Sequence, residues 1–251
     1  MNIPQMIKMR ADLPNKAIDS VAEAVASALE TASFPVKPGD RIAVAAGSRG
    51  IANIDIIVKS LVSFLKDKGA RPFIIPAMGS HGGAEAEGQR EVLASYGITE
   101  EKMGAPVLSS LDVREIDAPG LRNRVFMDRH AWESDGVILV NRVKPHTDFH
   151  GRHESGLIKM AVIGLGKHRL ASEMHSYGIH GLRDMMLDTA RCILKSGKII
   201  GALAIVEDAA DRSSVIEAVS AGGIEEADAR LLNTARENMP SLPVEDIDLL
   251  I

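Results

Sequence analysis

One cysteine, Cys192, stands in 251 residues, which excludes an internal disulfide and fits a reducing compartment. It sits in GLRDMMLDTARCILKSG, whose spacing is helical, so a small buried apolar residue is expected there. Aromatics make up only 3%, too few for base-stacking platforms. The longest apolar stretch, IIGALAIV, falls well short of the about 20 residues that span a bilayer. MNIPQMIKMR lacks the apolar core of a signal peptide. Basic residues are dispersed and the formal charge is −5, so neither nucleic acid nor an anionic membrane surface is expected as a partner. The expected location is the cytoplasm. What remains is ordinary for a globular protein, with 45% hydrophobic and 25% charged residues. The chain is long enough for one large domain or two small ones.

Apolar patterning predicts an alternation of strands and helices. NKAIDSVAEAVASALETA has helical periodicity, and RIAVAA (41–46) reads as a buried strand followed by the turn GSRG. IANIDIIVKSLVSFLKDKGA is again helical, with Asn53 as a cap and Gly69 as a stop. PFIIPA (72–77) is a second buried strand, followed by MGSHGG and the helical AEAEGQREVLASYG. Strand–turn–helix repeated in this way marks parallel βαβ units. Short strands are expected in VLSSLDVREID and RVFMDR, and a buried one in GVILV (136–140). MAVIGLGKHRLASEMHS looks helical in its second half, and KIIGALAIVED is a strand ending in acids. SSVIEAVSAGGIEEADARLLNTARENM is read as two helices with a Gly-Gly break. The expected fold is a layered, Rossmann-like α/β domain with a mostly parallel central sheet. The closing VEDIDLLI reads as a strand entering a core, the mark of a polypeptide that continues into another domain.

The unusual residues follow the strands. Gly47-Ser48-Arg49-Gly50 comes after the first, Gly79-Ser80-His81-Gly82-Gly83 after the second, and Asn141-Arg142-Val143-Lys144-Pro145-His146 after GVILV. Glu207 and Asp208 end the last. In a parallel sheet these loops share the carboxyl edge, where ligands of open α/β sheets bind. An arginine and two histidines are therefore expected to converge on one crevice. Singly, GSRG is equally a tight turn with a solvated arginine, and GSHGG equally a flexible loop. Those glycines would also let backbone N–H groups approach an anion.

His146, His150 and His153 are spaced so that one helix face could carry them to zinc. Pro145 and Gly151 argue against that helix, so solvated or substrate-facing roles are expected for His150 and His153. Lys159 lies in the apolar GLIKMAVIGLG, which would desolvate its amine; it is either an attachment point or a side chain snorkelling to the surface. His175, in ASEMHSYG, reads by itself as a helix-terminal histidine.

The ordered set Arg49, Gly-Ser-His81, Lys-Pro-His146, Lys159 and His175 resembles the N-terminal domain of the nickel-pincer-dependent lactate racemase family. Spacing is the specific part: 32 residues separate Arg49 from His81, 65 separate His81 from His146, and 16 separate Lys159 from His175. The resemblance covers the chain from RIAVAA onward and implies a 2-hydroxy acid racemase or epimerase, an isomerase. It implies that Lys159 tethers the nickel pyridinium-3,5-bisthiocarboxylic acid mononucleotide and that His175 completes the nickel coordination. It implies that His81 and His146 are the acid–base pair and that Arg49 binds the substrate carboxylate. In that family a hydride passes to the cofactor and returns to the opposite face of a transient 2-keto acid. The implied partners are a small 2-hydroxy acid and the enzymes that build the cofactor. Residues 1–251 would form the family's N-terminal catalytic domain without its C-terminal domain, and would be inactive alone.

This chain departs from the family pattern in two motifs. Ala46-Gly47-Ser48-Arg49 stands where the family commonly has Asp-His-Thr-Arg, and Gly156-Leu157-Ile158-Lys159 where it has Gly-Gly-Arg-Lys. The loop from His146 to Lys159 is about three residues longer than the lactate racemase pattern. Its added polar groups imply a bulkier or more polar hydroxy acid than lactate. Two other readings of the same residues stand beside this one, a non-catalytic nucleotide- or anion-binding domain and a zinc-dependent hydrolase built on His146, His150 and His153.

Overall fold

A sheet covered on both faces needs strands that are apolar on both sides, and the described residues follow that rule. The computed structural model describes residue 10, residues 12–48 and 50–240, and residue 242. Its strands are β1 (Arg41–Ala46), β2 (Arg71–Pro76), β3 (Val113–Ile116), β4 (Val125–Asp128), β5 (Gly136–Arg142), β6 (Ile199–Glu207) and β7 (Ser213–Ser220). Five form the main sheet in the order β2-β1-β5-β6-β7, and β3 and β4 form a separate antiparallel pair. β1 pairs in parallel with both β2 and β5, and β5 with β6. Among the described residues, β7 is the one strand of the main sheet that runs antiparallel. The mostly parallel, Rossmann-like sheet expected from the sequence is thus present.

Alternate residues of each strand serve opposite layers. Ile42, Val44, Ile74, Ile138 and Val140 face one cluster, completed by α1 (Val21–Thr31), α2 (Ile54–Asp67) and α3 (Ala86–Ser95). Ala43, Ala45, Ile75, Val137 and Leu139 face the other. That second cluster is completed by α4 (Lys167–Ser176), α5 (Met186–Lys195) and α6 (Ile224–Asn238). Helix α2 shows why. Ile54, Ile57, Val58, Leu61, Val62 and Leu65 recur at helical spacing and are all buried, each worth about 1.5–3 kcal/mol. Gly69 ends it in the left-handed region with φ 79°. Asn53 takes the cap position, but its side chain makes no cap bond. Cys192, on α5, is half-buried against the second cluster.

Two sequence expectations change, and two lie outside the described residues. Residues 213–220 form β7 instead of a helix. Asp208 accepts from the N–H groups of Ala210 and Arg212, at 3.0 and 3.1 Å, and turns the chain straight back along β6. Met160–Gly164 is a π-helical turn, a form common at functional sites. Arg49 and residues 243–251, which include all of VEDIDLLI, lie outside the described residues.

Candidate functional site

The strand order reverses between β1 and β5, the position where open α/β sheets present ligands beyond their carboxyl ends. Ala46 of β1 is in register with both Pro76 of β2 and Val140 of β5, so the loops that follow leave the sheet side by side. Above them opens a cavity of ≈ 490 Å³, within the usual range for small-molecule sites. His81, His146, Lys159 and His175 all line it, together with Arg142 and Lys144. The structure thus brings together four of the five residues singled out in the sequence. The fifth, Arg49, is the one outside the described residues.

His81 is half-buried on the loop after β2, and its Nδ1 shares a hydrogen bond with Ser48 Oγ from the loop after β1. Tyr96 in turn donates to the carbonyl of Ser48 at 2.6 Å, which fixes that loop from α3's side. The His81 loop rests directly on the first turn of α3. A Cβ at Gly88 would lie 2.1 Å from the Gly82 oxygen, so this approach requires glycine.

His146 opens a loop closed at its base by a two-way backbone bridge. Lys144 N–H donates to Ser155 O at 2.7 Å, and Ser155 N–H returns to Lys144 O at 3.2 Å. Inside the loop the buried Glu154 accepts from His146 N–H at 2.6 Å, Gly151 N–H at 3.1 Å and Arg236 of α6 at 2.7 Å. Burial alone would raise the Glu154 carboxyl, but these donors outweigh it and hold its pKa below the ordinary 4.5. The N–H of Asp148 donates to His146 Nδ1 at 3.1 Å. That bond leaves Nε2 as the proton-bearing nitrogen of the neutral ring. The imidazole stacks on Phe149 with centroids 4.2 Å apart, and Lys159 Nζ lies 5.6 Å from the same ring's centroid. Phe149 therefore joins two of the site residues, and the sequence reading missed it. Its signal was an isolated aromatic inside a polar run, in a chain with only five phenylalanines.

His150 and His153 part company. His150 is solvated, with its Nδ1 3.4 Å from Glu154 Oε1. His153 is buried and bonds through Nδ1 to Asp228 of α6 at 2.9 Å, so it is neither solvated nor facing substrate. Among the described residues no group of three or more His, Cys, Asp or Glu side chains is arranged to hold a metal ion, and the 146/150/153 trio is not one.

The same Asp228 accepts from the N–H groups of Leu157 and Ile158, the start of the turn that carries Lys159. Gly156 is required there, because a Cβ would sit 2.0 Å from Asp228 Oδ1. His175 occupies the last turn of α4, exposed at the cavity mouth beside Gly178 and Ile179. Arg142 pairs with Glu207, the last residue of β6, and Glu207 also accepts from Ala52 N–H at 2.8 Å. The strand-terminal acids thus orient a cation and build a turn.

Among the described residues, no helix is long and apolar enough to cross a membrane. The family described as "Domain of unknown function (DUF362)" matches residues 44–220. No curated protein matches the chain. Among solved structures, the lactate racemase apoprotein from Thermoanaerobacterium thermosaccharolyticum is similar, with a TM-score of 0.64 at 14% sequence identity. The alignment covers 88% of this chain and 58% of that one, so the chain spans under two thirds of its neighbour's length. At that identity the likeness is one of fold: this chain has a lactate racemase-like α/β architecture.

Proposed function

The chain belongs to the DUF362 family, and we propose that it is a racemase or epimerase of 2-hydroxy acids working with a nickel-pincer mononucleotide. One observation carries the reading: His81, His146, Lys159 and His175, singled out through the resemblance to the lactate racemase family, line a single cavity at the strand-order reversal. The lactate racemase-like fold supports it.

The residues fit the cofactor. One amine and one imidazole line the same ≈ 490 Å³ cavity, and an imidazole nitrogen is a donor that nickel would accept. Lys159 would hold the nucleotide covalently and His175 would ligate the metal. Bound there, the group would supply reversible hydride acceptance.

The chain's own residues handle the rest. The substrate's hydroxyl proton leaves as the hydride leaves, and a histidine suits that transfer near neutral pH. His146, whose Nδ1 accepts from the Asp148 N–H, offers its Nε2–H as a hydrogen bond to the substrate's oxygen, and takes up a proton only as the ring passes to the imidazolium form. His81, steadied at Nδ1 by Ser48, is its counterpart on another loop. The hydroxy acid's carboxylate is taken by a planar guanidinium, Arg49 by the family pattern, with Arg142 and Lys144 adding positive charge to the cavity wall. Phe149 shields the His146 ring and the Lys159 amine on one side.

The test is nickel per chain by elemental analysis, on protein produced alongside the cofactor-biosynthesis enzymes, with a His175→Ala variant in parallel. We expect close to one nickel per chain, falling at least tenfold in the variant. The same protein should interconvert the enantiomers of a 2-hydroxy acid in a panel graded by size and polarity. Absence of nickel from both proteins, with a competent cofactor supply, would overturn the reading.

A further inference from the structure

Beneath the cavity lies a buried polar cluster that the proposed chemistry does not use. Lys167, at the start of α4, is fully buried, and its backbone holds φ 54°, a conformation that non-glycine residues rarely adopt. Its ammonium lies 3.0 Å from Asp128 Oδ2 at the end of β4, donates to the carbonyl of Pro76 at the end of β2, and donates to Gln89 Oε1 at 3.3 Å. A buried ammonium is costly to keep, and burial pulls its pKa down while Asp128 works the other way.

Gln89, equally buried on α3, spans the space between this lysine and the catalytic loop. Its Nε2 donates to the carbonyls of Gly79 at 2.8 Å and His81 at 3.3 Å. The two ends of the amide are assigned by their partners: only an acceptor can face an ammonium, and only a donor can face two carbonyls. Lys167 therefore sets which way Gln89 points, and Gln89 ties down the backbone on both sides of Ser80. Gly82 and Gly88, in direct contact, bring the loop close enough for this bond.

We infer that Gln89, oriented by Lys167, is a positioning residue for His81: it fixes the backbone that presents the imidazole to the cavity. The inference rests on the proton-transfer role proposed above for His81.

Two substitutions in the full chain separate positioning from simple core packing. Gln89→Glu keeps an acceptor for Lys167, so the fold is retained, but its carboxylate cannot donate to the Gly79 and His81 carbonyls. Gln89→Met removes both ends. The readouts are the His81 ring titration by NMR and amide hydrogen exchange over residues 79–84, with the loop at 144–155 as internal control. The kcat and KM of racemisation are measured beside them. We expect both variants to displace the His81 titration from its wild-type position and to raise exchange in 79–84 at least tenfold, leaving 144–155 unchanged. We expect kcat to fall at least tenfold with KM within threefold. A wild-type His81 titration with no selective rise in exchange would overturn the inference, leaving Gln89 a packing residue. If the wild-type protein racemises nothing, the proposed function fails. The NMR and exchange results then still decide whether Gln89 holds the loop.

Discussion

Asp228 accepts from Leu157 N–H, from Ile158 N–H at 3.4 Å and from His153 Nδ1 at 2.9 Å, and is itself fully buried. Asp228→Ala would leave those donors without an acceptor, and a buried unsatisfied donor costs about 1–3 kcal/mol. A loss of about 3 kcal/mol or more in urea denaturation is expected, with Asp228→Asn losing roughly half as much because one acceptor oxygen remains. An unchanged midpoint in Asp228→Ala would show that water replaces the carboxylate without cost. The residues legible in the sequence were the four that directly follow strands or share spacing with a known pattern. Asp228 and Lys167 were illegible because their partners lie far along the chain, and Glu154 because two of its three donors are backbone N–H groups that no side-chain pattern marks. His153 and Asp228 stand 75 residues apart, and Lys167 and Pro76 stand 91 apart.

At the scale of elements, the loop from Lys144 to Ser155 behaves as a built unit hung on Glu154. Because the folded carboxyl is held below the ordinary 4.5, its stabilising contribution is complete above the unfolded value. It is lost as pH falls through the lower, folded value. Hydrogen bonds to a charged group contribute about 1.5–3 kcal/mol. Wild-type protein should therefore lose stability more steeply below about pH 4.5 than Glu154→Gln, which should already be weaker at pH 7. Arg236 and His150, the charged or titratable groups facing Glu154, remain in both proteins. Parallel urea midpoints against pH, with equal slopes for the two proteins, would refute this. Glu154 and His153 thus anchor this loop to its own backbone and to the helix α6. The misreading of β7 has a physical origin. Val215 and Val219 pack toward one core cluster while Ile216 and Ala218 pack toward the other, so the strand is apolar on both faces. Without alternation, period alone does not separate such a run from a buried helix.

Among the described residues one five-stranded sheet serves two layers, with the β3–β4 pair set apart, and the candidate site sits beyond that sheet's carboxyl edge. That all the loops leave one edge was legible, because parallel strands permit nothing else. That β1 lies between β2 and β5 was not, because strand order is decided by pairing and not by chain order. The shared sheet predicts that the layers unfold together, since neither can lose its face of β1, β2 and β5 without exposing the other's. Trp132, the single tryptophan, packs against the cluster that holds α4, α5 and α6. Leu61, fully buried on α2, belongs to the opposite cluster. Leu61→Ala should cost about 2–5 kcal/mol, a fall in Tm of roughly 5–15 °C for a domain of this size. The tryptophan fluorescence of Trp132 should record the whole of that fall, coincident with far-UV circular dichroism. A fluorescence transition left at its wild-type temperature while the dichroism moved would mean that the layer holding Lys159 and His175 folds independently of the layer beneath β1.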